Sequence, residues 1–196
     1  MKKSVIIIVV LVILGFVGYS YVKGLNNNMV TKSEDVSAKW SQVENVYQRR
    51  ADLIPNLVNT VKGYAAHEKE TLEGVIEARA KATSVNVNAG DLNAQSMQAF
   101  QNAQQGLSSA LSKLMVVVER YPDLKANQNF LELQAQLEGT ENRITVERQK
   151  FNETTRDYNT YIKLFPNSMF AGMFGYESKP YFEAQQGSEI VPEVQF

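Results

Sequence analysis

The sequence predicts an all-α protein: an antiparallel up-and-down helical bundle of four helices, with three as the alternative, behind an N-terminal transmembrane helix. Three observations predict it. Apolar residues recur every seven positions in three long segments, which is the pattern of facing helices with interdigitated side chains. Alternation of period two, the mark of strands, is confined to the closing EIVPEVQF, and that stretch contains a proline. Residues 5–22 carry no charge at all.

The uncharged run comes first in the chain. MKK is followed by SVIIIVVLVILGFVGYSYV. At 1.5 Å per residue, residues 5–22 would span roughly 27 Å as a helix, close to the hydrocarbon thickness of a bilayer. A cleaved signal peptide is the rival reading, with Gly18 and Ser20 as small residues before a cut. Its apolar region is normally about 7–15 residues, shorter than this one. The expectation is therefore a retained anchor over 5–22 behind a short leader, 1–4, with Tyr19 and Tyr21 at the interface. Lys2 and Lys3 lie on one side and Lys23 and Lys32 on the other, so the positive-inside rule is nearly balanced. The layout of a signal-anchor puts the body outside the cytoplasm, on the extracytoplasmic side.

KGLNNN, residues 23–28, reads as a turn-prone linker. A bundle domain over 29–166 comes after it. In its first leg Val36, Trp40, Val43, Tyr47, Ile54, Leu57, Val61 and Tyr64 alternate at spacings of three and four, with Arg50 intervening. Pro55 stands inside this leg without disturbing the phase. A proline removes an N–H and crowds the carbonyl one turn back, so it kinks or ends a helix. As one helix, residues 29–82 would be about 81 Å long, against about 44 Å for 93–121. The leg is therefore expected to reverse near Pro55 or near Lys62-Gly63, or else to project its start as a stalk toward the membrane.

TSVNVNAGDLN (83–93) reads as a loop, with Asp91 as N-cap of the next helix. That helix carries Phe100, Leu107, Leu114 and Tyr121 at sevenfold spacing, with Met97, Leu111 and Val118 on the adjoining seam. YPDLKANQ (121–128) is a second turn in which Pro122 stops one helix and Asp123 or Asn127 starts the next. The last helix repeats Phe130, Leu137, Ile144, Phe151, Tyr158 and Phe165 and ends at Pro166. Residues 167–196 read as an irregular, aromatic-rich tail.

Composition excludes much. The chain has no cysteine and one histidine, His67, so thiol chemistry, iron–sulfur clusters and multi-imidazole sites are out. His67 sits in HEKE among solvated charges, and nothing nearby suggests a catalytic triad. Di-iron carboxylate bundles need two Glu-x-x-His motifs, and none occurs. Glycine-rich phosphate loops are absent. Three of the 20 basic residues are Lys2, Lys3 and Lys23, leaving 17 against 21 acidic residues beyond the anchor, a net −4. An acidic body argues against nucleic acid as a partner. No cofactor and no metal is expected.

Charges on the seams remain to be placed. Arg50 and Glu68 fall on those of the first leg, and Thr140, Glu147 and Thr154 on that of the last helix, with Glu141 and Arg148 beside it. Unpaired buried charge is very costly, so these groups should pair across the bundle or reach water. Arg49, Arg50, Asp52, Glu68, Glu141, Glu147 and Arg148 form the candidate structural polar layer. Its plain role is to fix register, and its functional alternative is to grip a ligand. Arg50 with Glu141 or Glu147 is the expected central pair. Arg49, Arg50 and Asp52 are also candidates for charge-assisted hydrogen bonds to the last helix or to backbone groups freed near Pro55. In the tail, Phe170, Phe174, Tyr176, Tyr181 and Phe182 read either as a flap over the bundle end or as a surface for a partner or membrane.

Three blocks carry a family resemblance. RRADLIPNLVNTVKGYAAHEKETLEGVIEARAKA (49–82), ERYPDLKANQNFLELQAQLEGTENRITVERQKFNETTRDYNTYIKLFP (119–166) and FGYESKPYFEA (174–184) resemble the signature blocks of the LemA family. The resemblance implies a membrane-anchored bacterial protein with an antiparallel helical bundle, no established enzymatic activity and no catalytic residues to carry over. It extends to magnetosome proteins, which suggests membrane organisation. The expectation is a scaffold or adaptor of the bacterial envelope, held in the lipid bilayer by residues 5–22 and contacting other membrane or envelope proteins. A membrane-remodelling protein acting by self-assembly, including homo-oligomers, and a ligand-binding bundle are the alternatives.

Overall fold

The computed structural model describes residues 3–183. Residues 1, 2 and 184–196, which include EIVPEVQF, lie outside it. Among the described residues six α-helices occur in order: α1 Lys3–Tyr64, α2 Lys69–Ser84, α3 Ala94–Val118, α4 Pro122–Lys125, α5 Gln128–Lys163 and α6 Asn167–Phe174. A 3-10 turn, Ala89–Asp91, lies between α2 and α3. Among the described residues there is no strand.

The helix α1 is unbroken over 62 residues, about 93 Å at 1.5 Å per residue. Its first part is apolar and exposed: the most apolar 18-residue window has a mean hydropathy of 2.7 and none of it is buried. By length and composition it is able to cross a membrane. Burial begins at Leu25 and continues through Met29, Val36, Trp40, Val43, Tyr47, Ile54, Leu57 and Val61. The turn expected at 23–28 is absent. KGLNNN is helical, since it already places Leu25 against the body and so belongs to the same buried stripe as Met29 and Val36. Of the two places expected for the reversal, Pro55 is passed, and the helix ends near Lys62-Gly63, at Tyr64, with the Glu68 amide donating to the Ala65 carbonyl at 3.1 Å.

Contacts fix the directions. Along α1 and α5, Lys32 meets Tyr161, Trp40 meets Phe151, Arg50 meets Glu141, and Tyr64 meets Asn127. Positions fall on α5 as they rise on α1, so the two helices are antiparallel. The helix α2 returns along α1, with Arg79 bonded to Ala51. Next, α3 runs back along α2, with Gln104 bonded to Ala82 near one end and Tyr121 to Glu68 near the other.

Local chemistry explains the boundaries. Asn93, not Asp91, caps α3: its side chain accepts the Ser96 amide, and the Ser96 hydroxyl accepts the Asn93 amide in return. Asn127 caps α5 by accepting the Phe130 amide at 3.0 Å. Pro122 opens the short α4, where its missing N–H costs nothing. The sevenfold repeat on α5 holds through Tyr158. Phe165 falls past the helix end and is 81% exposed. The tail begins with a helix, α6, closed by Gly175 in the left-handed region (φ 76°), which glycine adopts without a Cβ penalty.

The interior divides into two apolar clusters. One, near the N-terminal half of α1's buried stripe, gathers Met29, Trp40, Tyr47, Phe100, Phe151 and Tyr158. The other, toward the far end, gathers Ile54, Leu57, Val61, Val75, Leu107 and Leu114. Arg50 lies between them.

Candidate functional site

Arg50 is 2% exposed. Its guanidinium reaches α3 and α5 from α1. Nη1 donates to Glu141 Oε2 at 2.9 Å and to Ser108 Oγ at 3.0 Å. Nη2 donates to Gln104 Oε1 at 2.7 Å and to the Gln104 carbonyl at 3.3 Å. Tyr47 lies under it, 5.1 Å from the ring centroid to the guanidinium carbon. Only Nε meets no acceptor among the described residues. Gln104 in turn donates to the Ala82 carbonyl at the end of α2. One cation thus ties α1 to α3 and α5, and Gln104 extends the tie to α2.

Pro55 leaves a second trace. Without its N–H, the Ala51 carbonyl one turn back loses its helical partner. Arg79 Nε donates to that oxygen at 2.7 Å. A side chain from α2 thereby replaces the missing backbone bond, which is why α1 continues through the proline. Asp52 faces the same arginine at 4.0 Å. Of Arg49, Arg50 and Asp52, expected to bond the last helix or freed backbone groups, Arg50 reaches the last helix through Glu141, and the carbonyl freed by Pro55 is taken by Arg79 instead.

The remaining members of the expected polar layer are scattered. Arg49 is exposed. Glu147 pairs with Lys150 on its own helix at 2.7 Å. Glu68 is near the far end, accepting Tyr121 Oη at 2.9 Å and pairing with Arg120 at 3.0 Å. That carboxylate raises the Tyr121 pKa, because the neutral phenol is the form it bonds. Arg148 does approach the layer from α5, over the Phe182 ring at 4.7 Å, and donates to the Glu183 carbonyl at 3.0 Å. Burial raises the Tyr47 pKa, and the positive charges of Arg148 and Arg50 oppose that rise.

A groove opens between α3 and α5 at this level, about 180 Å³ in volume, with Arg50 and Tyr47 on its floor and Gln101, Gln104, Glu141 and Arg148 on its walls. The interior here is therefore not fully sealed. Ligand pockets usually run to about 300–1,000 Å³. Protein acceptors already take four of the five donor directions of Arg50. The arrangement suits register better than capture. Among the described residues there is no grouping of three or more His, Asp or Glu with metal-binding geometry.

The aromatic tail divides. Phe182 is 5% exposed and stands among Trp40, Phe100 and Phe151, with ring centroids 5.5–6.4 Å apart, so it belongs to the interior and not to a partner surface. Two asparagines seven residues apart on α5 hold the backbone that carries it. Asn159 exchanges two hydrogen bonds with Lys179, both 2.8 Å, and Asn152 exchanges two with Phe182, at 2.9 and 3.0 Å. Residues 176–183 form a strap down the open side of α5. Tyr176 is half-buried and donates to Asn26 Oδ1 at 3.1 Å. Phe170 is half-buried, stacked on Phe174, while Phe174 and Tyr181 are about 40% exposed. Gln104 and Arg79 were not anticipated; the signal that could have found them is a polar residue on an apolar seam, between Phe100 and Leu107 and between Val75 and Ala82. The strap carried no comparable signal, since asparagine on a charged helix looks like surface.

These features define a class: an all-helical protein whose N-terminal helix is apolar enough for a membrane and whose body is keyed by a buried arginine. A model of the LemA family matches residues 39–196, and the chain belongs to that family. Among curated relatives, the magnetosome protein MamQ of Magnetospirillum gryphiswaldense is 30% identical over 190 residues, covering 86% of this chain and 69% of that one. MamQ 1 of Paramagnetospirillum magneticum is 29% identical with the same coverage. Protein LemA of Metamycoplasma hominis is 21% identical over 188 residues, covering 94% of this chain and 80% of that one.

Proposed function

We propose that this protein is a non-catalytic scaffold or adaptor, spanning the bacterial cytoplasmic membrane once and holding its body on the extracytoplasmic side. In this reading α1, α2, α3 and α5 act as an up-and-down bundle whose outer surface engages other membrane or envelope proteins. The observation that carries it is the unbroken α1. The exposed apolar segment and the main core helix are one rod, so the body is held in a fixed orientation relative to the apolar segment. A tethered enzyme gains nothing from such rigidity, whereas a surface that must meet membrane-bound partners does. The test is photocrosslinking in cells from exposed positions of α5 such as Leu131 and Val146, repeated with a flexible glycine-serine insertion after Gly24. Discrete membrane or envelope proteins should be captured, and the insertion should abolish capture while leaving the body folded. Capture of lipid and unspecific neighbours alone would remove the proposal.

The magnetosome names of the MamQ relatives support a second reading, organisation of the membrane by self-assembly. Assembly of the full chain on liposomes that rises with its surface density, without any added partner, would favour it over an adaptor.

A further inference from the structure

Large exposed apolar side chains on the body occur mostly singly, as Ile76, Val116, Leu131 and Val146 do, which is normal for a protein surface. One region differs. Leu164, Phe165, Met169, Met173 and Phe174 are all exposed, from 41% to 81%, within eleven consecutive residues at the α5–α6 corner. In α6, Asn167 and Ala171 point into the body, and Met169 and Met173, one turn apart, form part of the outward face. That outward face should be polar if water covered it. Instead, from Lys163 to Tyr176 the only charged residue is Lys163, and it is basic. An outward helix face that is apolar and has no charge beside it is one that meets apolar surroundings on that side.

The position of this corner says what covers it. Tyr176, just past α6, bonds Asn26 on α1. Asn26 is four residues beyond Val22, where the uncharged run ends, hence about 6 Å along the helix. The polar headgroup layer on each side of a bilayer is roughly 5–8 Å thick. Resting on the reading that residues 5–22 span the bilayer, we infer that α6 and the preceding Leu164–Phe165 corner lie in the headgroup region of that same membrane, as a second lipid contact beside the anchor. Met169, Met173 and Phe165 enter the acyl boundary. Lys163 at the rim and Lys23 at the end of the anchor meet lipid phosphates, as basic residues at such boundaries do. The strap then ties this contact to the aromatic interior through Tyr158, whose hydroxyl donates to the Glu177 carbonyl at 2.9 Å.

The absence of cysteine makes a direct test clean. Single variants M173C, V146C and F16C of the full chain carry a nitroxide label and are reconstituted in vesicles of phosphatidylethanolamine and phosphatidylglycerol. Collision with dissolved oxygen is compared with collision with a water-soluble nickel chelate. The expected result is oxygen-dominated relaxation at positions 173 and 16 and chelate-dominated relaxation at 146. Chelate-dominated relaxation at 173, with 16 still in lipid, overturns the inference and leaves the anchor standing. Shielding of 173 from both reagents overturns it in favour of a protein partner or a second copy. Chelate-dominated relaxation at position 16 removes the anchor, and this inference with it.

Discussion

The two halves of the body use successive stretches of α1 but fill their interiors with different chemistry. Toward the far end, α1 is flanked by α2 and α5, with α3 behind α2, and the filling is aliphatic: Ile54, Leu57, Val61, Leu72, Val75, Leu107 and Leu114, with Phe130 the one aromatic ring fully inside. Nearer the anchor, α2 has ended at Ser84. The space a fourth helix would occupy is taken by the 85–93 loop, by the strap and by rings, with Trp40, Tyr47, Phe100, Phe151, Tyr158 and Phe182 all buried. The difference teaches that large flat side chains and a bonded strap can replace a missing helix. Trp40 anchors this substitute on the loop side too, donating to the Val87 carbonyl at 2.7 Å.

The comparison can be broken most forcefully at Phe182. Phe182→Ala should lower stability by about 3–5 kcal/mol, the usual cost of deleting a buried ring. Because Trp40 is the only tryptophan, its emission should shift to longer wavelength as water enters. Leu114→Ala, in the far half, should cost a similar 2–5 kcal/mol and leave native-state emission unchanged. A red shift from Leu114→Ala would show that the halves are not separate.

Next in size is the layer between them. Arg50→Met removes four hydrogen bonds and leaves Gln104 short of a partner, for an expected loss of about 2–3 kcal/mol in denaturant titration. Glu141→Gln should cost no more than about 1 kcal/mol, because the Glu141 side chain is 56% exposed, so its charge is screened by water, and the glutamine oxygen can still accept from Arg50. If both variants cost the same, the cation is not what separates the clusters.

Smaller again is the bridge over Pro55. Arg79→Met strands the Ala51 carbonyl and should cost about 1–2 kcal/mol. In a Pro55→Ala background the restored N–H can take that carbonyl, so most of the cost should vanish. A double-mutant cycle that shows no coupling would detach Arg79 from the proline.

The smallest effect is alkaline. Burial raises the pKa of Tyr47 and of Tyr158 above the ordinary 10.0. The folded chain therefore keeps protons that the unfolded chain loses. Their contribution is complete below pH 10 and fades as pH climbs through the raised values, so stability should fall there. Tyr47→Phe should flatten part of that slope, and an unchanged slope would argue against burial as its source.

Much of this architecture is visible in spacing alone. The sevenfold repeats locate α1, α3 and α5, and Arg50 stands out because it interrupts a seam. Length arithmetic requires a reversal in the first leg but not its place, since Pro55 gives a strong local signal that Arg79 then cancels from another helix. The turn expected at 23–28 fails for a related reason: asparagines and a glycine favour turns locally, yet Leu25 and Met29 bury and carry the helix through. The strap is least legible, since its order comes from Asn152 and Asn159, which look like any polar residues on the surface of a helix.

The lack of a joint in α1 has a mechanical consequence. From Val22 to Tyr64 the rod extends roughly 60 Å at 1.5 Å per residue. Spanning helices adjust their lean to the thickness of the lipid around them. A change of about 10° at the root would sweep the distal tip sideways by roughly 10 Å. On the proposed reading that residues 5–22 span a bilayer, local membrane thickness would thereby be converted into a lever movement large enough for a neighbouring molecule to sense.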